Sequence, residues 1–273
     1  MKFAMKSIVA AASFVAVAAA QAAIVTVPTD GVTVSNGVTV TAAGALEFSK
    51  NLSSALTLGA ATVGAYGGGT VTPKTVSVTS GTKTTTYKTY VIGAGVSSLS
   101  YDNASGKVTE VVSTGGTTQG LNDDTANGNI GATGGNANIG DLDVKFNSDG
   151  SVNIYGKIAG SANDGTAVNW SGLLFTVAAA NVTGVTSFTT TPGTYNTTLS
   201  KLAITTAGFD QLATVFGLDP AGLGYTSLKS AASDFGTLSS AITVKQAVPE
   251  PSTYALMGLG LVGMSLVARR RAK

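Results

Sequence analysis

The chain has 273 residues, no cysteine, no histidine and a formal net charge of +2. The absence of cysteine excludes a disulfide framework, and the absence of histidine excludes Ser-His-Asp and Cys-His nucleophiles and histidine-ligated zinc. Residues 23–249 carry ten lysines and thirteen acidic residues, a net charge of −3, so no basic surface for nucleic acid is expected. Only 11% of the residues are charged, which indicates a surface solvated by hydroxyls and amides, as is typical of extracellular proteins.

The N-terminal segment has the layout of a secretory signal peptide. Two lysines precede an apolar run at residues 8–20, and the small residues Ala20 and Ala22 follow at the spacing of a cleavage site. The run is rich in alanine and shorter than the roughly 20 residues that span a bilayer, which argues against a permanent anchor. We expect signal peptidase to cut after Ala22 and to remove residues 1–22.

Residues 24–40 predict short antiparallel strands. Valine alternates with polar residues there, and the alternation breaks at Asp30-Gly31 and at Asn36-Gly37, which are hairpin signals. In residues 44–58, large apolar residues recur every four positions. This spacing predicts one short amphipathic helix.

Three further β-rich stretches follow along the chain. Residues 70–92 are dominated by Thr and Val, which fit a pleated strand better than a helix. In residues 97–113 and 142–160, two alternating runs flank turn residues at 102–106 and 147–150. Each of these two stretches predicts an antiparallel hairpin.

Between the two hairpins, residues 115–140 are rich in Gly, Asn and Thr and poor in apolar residues, and we interpret them as a loop. Later, residues 207–216 and 226–235 have apolar residues at helical spacing, which predicts two more short helices. Together these patterns predict a mainly β domain at residues 23–246, an antiparallel β-sandwich-like fold with a few short helices.

The candidate chemical sites in this body are weak. Asp123, Asp124, Asp141 and Asp143 could offer oxygen ligands to Ca²⁺, but their spacing does not match a twelve-residue calcium loop, and Asp in Gly/Asn-rich segments usually makes turns. Residues 91–98 open like a dinucleotide-binding turn, but a hairpin rather than a helix follows. We therefore expect no metal, no cofactor, no catalytic residue and no enzyme activity.

The C-terminal tail combines three features in order. The prolines of Pro249-Glu250-Pro251 fix φ, remove backbone donors and keep the chain extended. Residues 252–268 are uncharged and mostly apolar and would form about 26 Å of transmembrane helix, enough for a thin bilayer. Arg269, Arg270 and Arg271 follow, and the positive-inside rule places the body outside the cytoplasm. Apolar length and charge alone would also suit a plain membrane anchor.

With these three features, residues 247–273 resemble the PEP-CTERM sorting signal of Gram-negative bacteria. The resemblance implies recognition by an exosortase, an integral-membrane cysteine transpeptidase that would cut near Pro-Glu-Pro and release or transfer the body. It also implies export by bacteria that make exopolysaccharide, and a location at the cell surface or in the extracellular matrix.

The predicted function is therefore that of a non-catalytic surface or matrix protein. Its expected transient partners are the exosortase, signal peptidase and the inner membrane, and exopolysaccharide is the candidate lasting partner in a biofilm. The alternative is a secreted carbohydrate-binding or carbohydrate-acting domain. For that alternative, Trp170 is the only tryptophan, and the scattered aromatic residues indicate no sugar-binding face.

Overall fold

The computed structural model describes residues 23–34, 37–80, 82–124 and 130–246, together with residues 257 and 259. The predicted signal peptide, residues 1–22, lies outside these ranges, and only residues 257 and 259 of the predicted transmembrane helix are described. Within the described ranges the chain forms fifteen β-strands and three α-helices. None of these helices is both long and apolar enough to cross a membrane.

The secondary-structure elements follow one another with short connections. The α-helices are α1 (Lys50–Leu58), α2 (Thr206–Val215) and α3 (Leu223–Ser230), and a short 3-10 turn lies at Ala179–Asn181. The strands are β1 (Ile24–Pro28), β2 (Asp30–Val34), β3 (Val38–Phe48), β4 (Thr62–Tyr66), β5 (Thr70–Ser80), β6 (Lys83–Asp102), β7 (Val108–Thr114), β8 (Gly116–Leu121), β9 (Gly135–Phe146), β10 (Val152–Ala162), β11 (Ala167–Val177), β12 (Val182–Gly184), β13 (Gly193–Leu199), β14 (Ala203–Ile204) and β15 (Gly236–Gln246).

All of these strands join one antiparallel sheet. Its longest path runs β12-β13-β15-β3-β6-β7-β9-β10-β11-β14, and the remaining strands attach beside it. β6 is the longest strand and pairs with β1, β3, β5 and β7. The prediction of a mainly β, antiparallel fold with a few short helices is confirmed, although hydrogen bonds connect the strands in one continuous sheet rather than in two separate ones.

The sheet curls around a single apolar core. Phe235 lies between its two sides, with ring centroids 6.3 Å from Phe48 at the end of β3 and 5.0 Å from Phe175 in β11. The backbone N–H of Phe235 donates to the Leu202 carbonyl at 2.7 Å, and the N–H of Leu202 donates to the Gly236 carbonyl at 3.1 Å. These bonds bring the chain beside β14 back to the start of β15, so strands that are distant in the sheet order share one core.

The two later hairpins form as predicted, β6 with β7 and β9 with β10. The Asn36-Gly37 hairpin also forms, since β2 pairs with β3 up to Val34 opposite Val38. The prediction of a hairpin at Asp30-Gly31 is wrong, because β1 pairs with β6. Thr29 holds the chain there, with its N–H donating to Ser97 and its hydroxyl donating to the Val96 carbonyl.

The helix predicted at residues 44–58 is only partly correct. Residues 44–48 belong to β3, and α1 begins after Ser49, whose hydroxyl oxygen accepts a hydrogen bond from the Leu52 N–H at 3.1 Å. A serine in this position caps the first turn of a helix and marks its start. Phe48 matches the helical spacing by coincidence, because it is the last residue of a strand.

The two helices near the end of the body agree with the prediction to different degrees. α2 coincides with the helix predicted at residues 207–216, but α3 begins earlier than predicted and ends at Ser230 rather than at Phe235. The chain after α3 bonds to the sheet instead of to itself: the Ala232 carbonyl accepts from Ile204, and Phe235 donates to Leu202. These non-local bonds end the helix.

The loop predicted at residues 115–140 is wrong at both of its ends. β8 occupies residues 116–121, and the first half of β9 occupies residues 135–140. Gly116 pairs with Gly140, and a Cβ built on Gly116 would lie only 2.0 Å from the Ile139 carbonyl oxygen. The glycines that suggested a loop are therefore what allows two strands to approach this closely.

Candidate functional site

The predicted sorting residues Pro249, Glu250 and Pro251 and the arginines Arg269, Arg270 and Arg271 lie outside the described residues, as do Ala20 and Ala22. Met257 and Leu259, within the predicted transmembrane helix, have helical conformation and are exposed. The described structure therefore bears on the sorting site through the end of β15, from which the tail leaves.

The tail leaves from the end of β15, which is held on both edges. Val244 is opposite Gly193 of β13, and Gln246 is opposite Val38 of β3. The Gln246 side-chain amide donates to the Gly37 carbonyl at 3.2 Å. The last residue before the tail is thus fixed to the β2–β3 hairpin by ladder and side-chain bonds.

The N-terminus of the body lies at the same end of the sheet. Asn103 and Ala23 exchange two hydrogen bonds of 3.1 Å, one from the Ala23 N–H to the Asn103 side-chain oxygen and one from the Asn103 N–H to the Ala23 carbonyl. Ile24 is then opposite Asp102 at the start of the β1–β6 pairing. If signal peptidase cuts after Ala22, Ala23 becomes the first residue and is already anchored.

The turn between β6 and β7 supports this anchor. Asp102 accepts hydrogen bonds from the Ala104 N–H at 2.8 Å and the Ser105 N–H at 3.2 Å, and Gly106 takes a φ of +71°, which glycine adopts without steric cost. The Phe188 N–H donates to the Gly106 carbonyl at 2.7 Å, and the Phe188 ring packs 4.9 Å from that of Tyr101. The turn is therefore held both by hydrogen bonds within itself and by contacts with Phe188, which is distant in the sequence.

We call this region the exit end and define it by Ala23, Gly37, Asn103 and Gln246. Sequence patterns did not indicate it, because the four residues come from separate parts of the chain. The local signals are the turn residues at 36–37 and 102–103, and each of them predicts only a hairpin turn.

The acidic candidates for a calcium site are engaged by other groups. The Lys157 ammonium lies 3.2 Å from Asp141, and the Lys145 ammonium lies 3.2 Å from Asp143 and 3.1 Å from Glu110. Burial raises the pKa of the Asp143 carboxyl above its ordinary value, against the opposing effect of Lys145, and Glu110 adds to the rise. The hydrogen bond with Glu110, followed by that with Asp143, raises the pKa of Lys145.

The other two candidates lie elsewhere. Asp124 accepts a hydrogen bond from the Ile130 N–H at 2.7 Å, and Asp123 also has an interaction partner. Among the described residues, no three acidic side chains come together in a group that could hold a metal ion. Asp141 pairs with Lys157 across β9 and β10, whereas Asp143 pairs with Lys145 of its own strand, which also reaches Glu110 of β7.

Trp170 and Tyr155 are each engaged by neighbouring groups. The Trp170 indole lies over Gly172, where a Cβ would come within 2.6 Å of the ring. The Tyr155 ring is covered in part by the Lys145 ammonium, 5.5 Å from its centroid. Trp170 therefore packs against its own strand.

Inside the curled sheet lies a cavity of about 70 Å³. Its lining is mostly apolar and includes Leu46, Ile92 and Phe175, with Thr117 and Gln119 among its polar members. The Gln119 side-chain amide donates to the Thr117 hydroxyl at 3.3 Å. No described residue of this lining titrates near neutral pH, so the cavity offers no acid or base.

Comparison with known proteins gives one match. Residues 247–271 match the family model of the PEP-CTERM protein-sorting motif. The motif implies export and exosortase-dependent localisation at the surface or outside the cell. No curated protein and no solved structure matches the chain. The resemblance seen in the tail is confirmed, and it concerns the tail alone.

Proposed function

We propose that this exosortase-sorted protein is a non-catalytic component of the cell surface or extracellular matrix of a Gram-negative bacterium. The observation that carries the proposal is the PEP-CTERM motif at residues 247–271. In it, Pro-Glu-Pro, an apolar segment and three arginines occur in the order that a membrane-embedded sorting enzyme requires. In this proposal the tail directs the sorting of the body.

In this proposal both ends are processed. Signal peptidase removes residues 1–22, the segment 252–268 holds the precursor in the inner membrane, and the arginines keep its end in the cytoplasm. The exosortase then cuts near Pro249-Glu250-Pro251. The boundaries of the fold fit both cuts, since β1 begins at Ile24 and β15 ends at Gln246, so neither cut removes a strand.

The non-catalytic assignment is supported by the chemistry of the body. The chain has no histidine and no cysteine, Lys145 and Lys157 pair with Asp141, Asp143 and Glu110, and the lining of the interior cavity carries no acid or base among its described residues. We assign no metal and no cofactor. A structural or adhesive role needs none of these groups.

We further propose exopolysaccharide as the lasting partner. The support is the resemblance of the tail to sorting signals of polymer-producing bacteria, together with a body whose surface relies on hydroxyls and amides, as 11% charged residues require. Such groups bind sugar hydroxyls by hydrogen bonding without a deep pocket. A dedicated carbohydrate-binding domain is the second candidate, and the packing of Trp170 against Gly172 does not favour it.

The test separates a sorting signal from a plain anchor. Replacing Pro249, Glu250 and Pro251 by alanine leaves the apolar length and the arginines intact, so an anchor would be unaffected. We expect the variant to accumulate at full length in the inner membrane, because the enzyme loses its extended, donor-poor substrate. The measurement is cell fractionation and immunoblotting of the body in a native host.

The matched control replaces Arg269, Arg270 and Arg271 by alanine, which should weaken retention and orientation without altering Pro-Glu-Pro. Intact-mass analysis of the surface protein should show a first residue of Ala23. If the Pro-Glu-Pro variant reached the surface or medium at wild-type size and yield, the sorting role would be lost and a plain anchor would replace it.

A further inference from the structure

Both tails of the precursor leave the body at the exit end. Antiparallel pairing sets this: Ala43 of β3 is opposite Gly95 of β6, so the Val38 end of β3 points toward the Asp102 end of β6. β15 ends opposite Val38, and β1 begins opposite Asp102. β3 pairs with both β15 and β2, and β2 contacts β1, which places the two tails roughly 15 Å apart at a strand spacing of about 5 Å.

The connection to the sorting site is very short. Only Ala247 and Val248 separate Gln246 from Pro249. Three consecutive Cα steps reach at most about 11 Å, whatever conformation they take. Because Gln246 is held by β3 and by Gly37, the folded body cannot move back from Pro-Glu-Pro unless the end of β15 separates from the sheet.

We propose that the exit end is a docking surface for the extracytoplasmic face of the sorting enzyme. This inference rests on the proposed function, and it adds a second recognition surface to the linear motif. An enzyme that encloses Pro249 must occupy the space around that residue, and the exit end lies within the same roughly 11 Å. The enzyme, rather than lipid headgroups, meets this surface, because residues 249–251 precede the membrane segment.

The chemistry of the exit end fits a polar protein surface that presents acceptors. Asn103 and Gln246 offer side-chain amides, and Lys107 and Lys245 are exposed cations beside them. The Asp102 carboxylate accepts hydrogen bonds from the Ala104 and Ser105 N–H groups within its own turn. The partner surface should therefore carry carboxylates or free carbonyl groups. Because the Asp102 turn is already rigid, docking there orders no loop.

A site-specific photo-crosslinker tests the contact. The probe is placed at Asn103 in the full-length precursor, expressed with a tagged exosortase whose catalytic cysteine is replaced so that the complex persists. The matched control is a probe at Thr86, which is exposed in β6, the strand that ends just before Asn103, and lies roughly 50 Å away along it. A probe at Val248 reports whether the enzyme holds the tail at all.

We expect an adduct with the exosortase from Asn103 and from Val248 and none from Thr86. Adducts of equal yield from Asn103 and Thr86, or adducts with lipid alone from Asn103, would overturn the docking surface. An adduct from Val248 without one from Asn103 would also overturn it while leaving the proposed function intact. Absence of the Val248 adduct together with an unprocessed wild-type chain would instead reject the proposed function.

A linker gives an independent measurement. Ten Gly and Ser residues inserted between Gln246 and Ala247 let the body move back by up to about 35 Å. Cutting near Pro-Glu-Pro should continue, while the Asn103 adduct falls roughly tenfold because the effective concentration of the surface at the enzyme drops. An Asn103 adduct of unchanged yield would show that the short tether does not impose the contact and would reject the inference.

Discussion

The two halves of β9 are held in the same sheet by different interactions. We call residues 135–140 the glycine half and residues 141–146 the alternating half. In the alternating half, Val144 is buried opposite Val111 of β7 and Ile154 of β10. In the glycine half, Ala137 and Ile139 are also buried, but backbone packs against backbone at the glycines, and a Cβ on Gly140 would lie 2.6 Å from the Gly115 carbonyl oxygen.

The difference shows two ways to stabilise a strand. Large side chains can fill the core, or glycines can leave room for the backbone of neighbouring strands. Burial of β-branched residues stabilises the alternating half in the ordinary way. Glycine weakens a strand by about 0.5–1 kcal/mol relative to alanine, and here the close approach of neighbouring strands compensates for that cost. The two halves should therefore respond in opposite ways when a methyl group is added or removed.

Adding one methyl group to the strand beside the glycine half should have the largest effect. The Cβ of Gly116→Ala would lie 2.0 Å from the Ile139 carbonyl oxygen and 2.7 Å from the Gly140 Cα. Both of these atoms belong to the backbone, so neither can rotate away. We expect a loss of about 3 kcal/mol or more in the free energy of unfolding, measured by urea denaturation.

The matched control for this prediction is Gly64→Ala in β4, where the nearest atom to the new Cβ, the Thr118 carbonyl oxygen, lies 3.9 Å away. The free energy of unfolding of this variant should not fall below that of the wild type and should rise by up to about 1 kcal/mol, because alanine replaces glycine in a strand without a clash. If both variants were equally stable, the close approach would not be what specifies the glycine half.

Removing methyl groups should instead destabilise the alternating half. Ile154 is fully buried in β10 opposite Val144, and Ile154→Ala should lower the free energy of unfolding by about 2–5 kcal/mol through lost burial and a new cavity. The neighbouring Tyr155 is 37% exposed, so Tyr155→Ala should cost about 1 kcal/mol or less. Thermal and urea unfolding of the two variants measure the difference, and a cost for Ile154→Ala as small as that for Tyr155→Ala would contradict it.

Charge in the alternating half should have the smallest effect. The raised pKa of Asp143 means that the folded chain binds its proton more tightly than the unfolded chain does. The contribution of this carboxyl to stability therefore falls as the pH rises through the unfolded and then the folded pKa. Asp143→Asn keeps the shape of the side chain and removes this titration.

We expect Asp143→Asn to gain stability relative to the wild type between about pH 3.5 and pH 7, by less than about 1 kcal/mol because the group is partly exposed and screened. Urea unfolding across this pH range measures the trend. Lys145 keeps its contact with Glu110 in the variant. A relative loss of stability with rising pH would mean that the ion pair with Lys145 outweighs burial.

Local turn chemistry explains most of what could be predicted about the fold. The turns at residues 102–106 and 147–150 bring together strands that are adjacent in sequence, so the residues that specify them are visible in one short segment. The local pattern predicts the wrong partner for β1 because its true partner is the end of β6, where Ser98 and Asp102 lie opposite Pro28 and Ile24, about seventy or more residues apart in sequence. The composition of the glycine half predicts a loop because the close contacts at Gly116, Gly135 and Gly140 are with backbone atoms of other segments.

The candidate site was likewise predictable only where its residues are adjacent in the sequence. Pro249-Glu250-Pro251 is a linear signal that an enzyme reads in the order of the sequence, and it was recognised without any structure. The exit end beside it joins residues near positions 23, 37, 103 and 246, whose proximity depends on the pairing of β1, β3, β6 and β15. A surface assembled by long-range pairing leaves no signature in any one of its segments.

The position of β15 also determines how the body carries tension. Any force applied through the tail acts along the axis of this strand, which pairs with β3 from Gly236 to Gln246 and with β13 from Leu238 to Val244. Antiparallel ladder bonds lie perpendicular to the strands, so a pull along β15 shears both ladders at once instead of opening them one bond at a time. A body attached to a surface or polymer through this end is therefore built to resist being pulled away by flow.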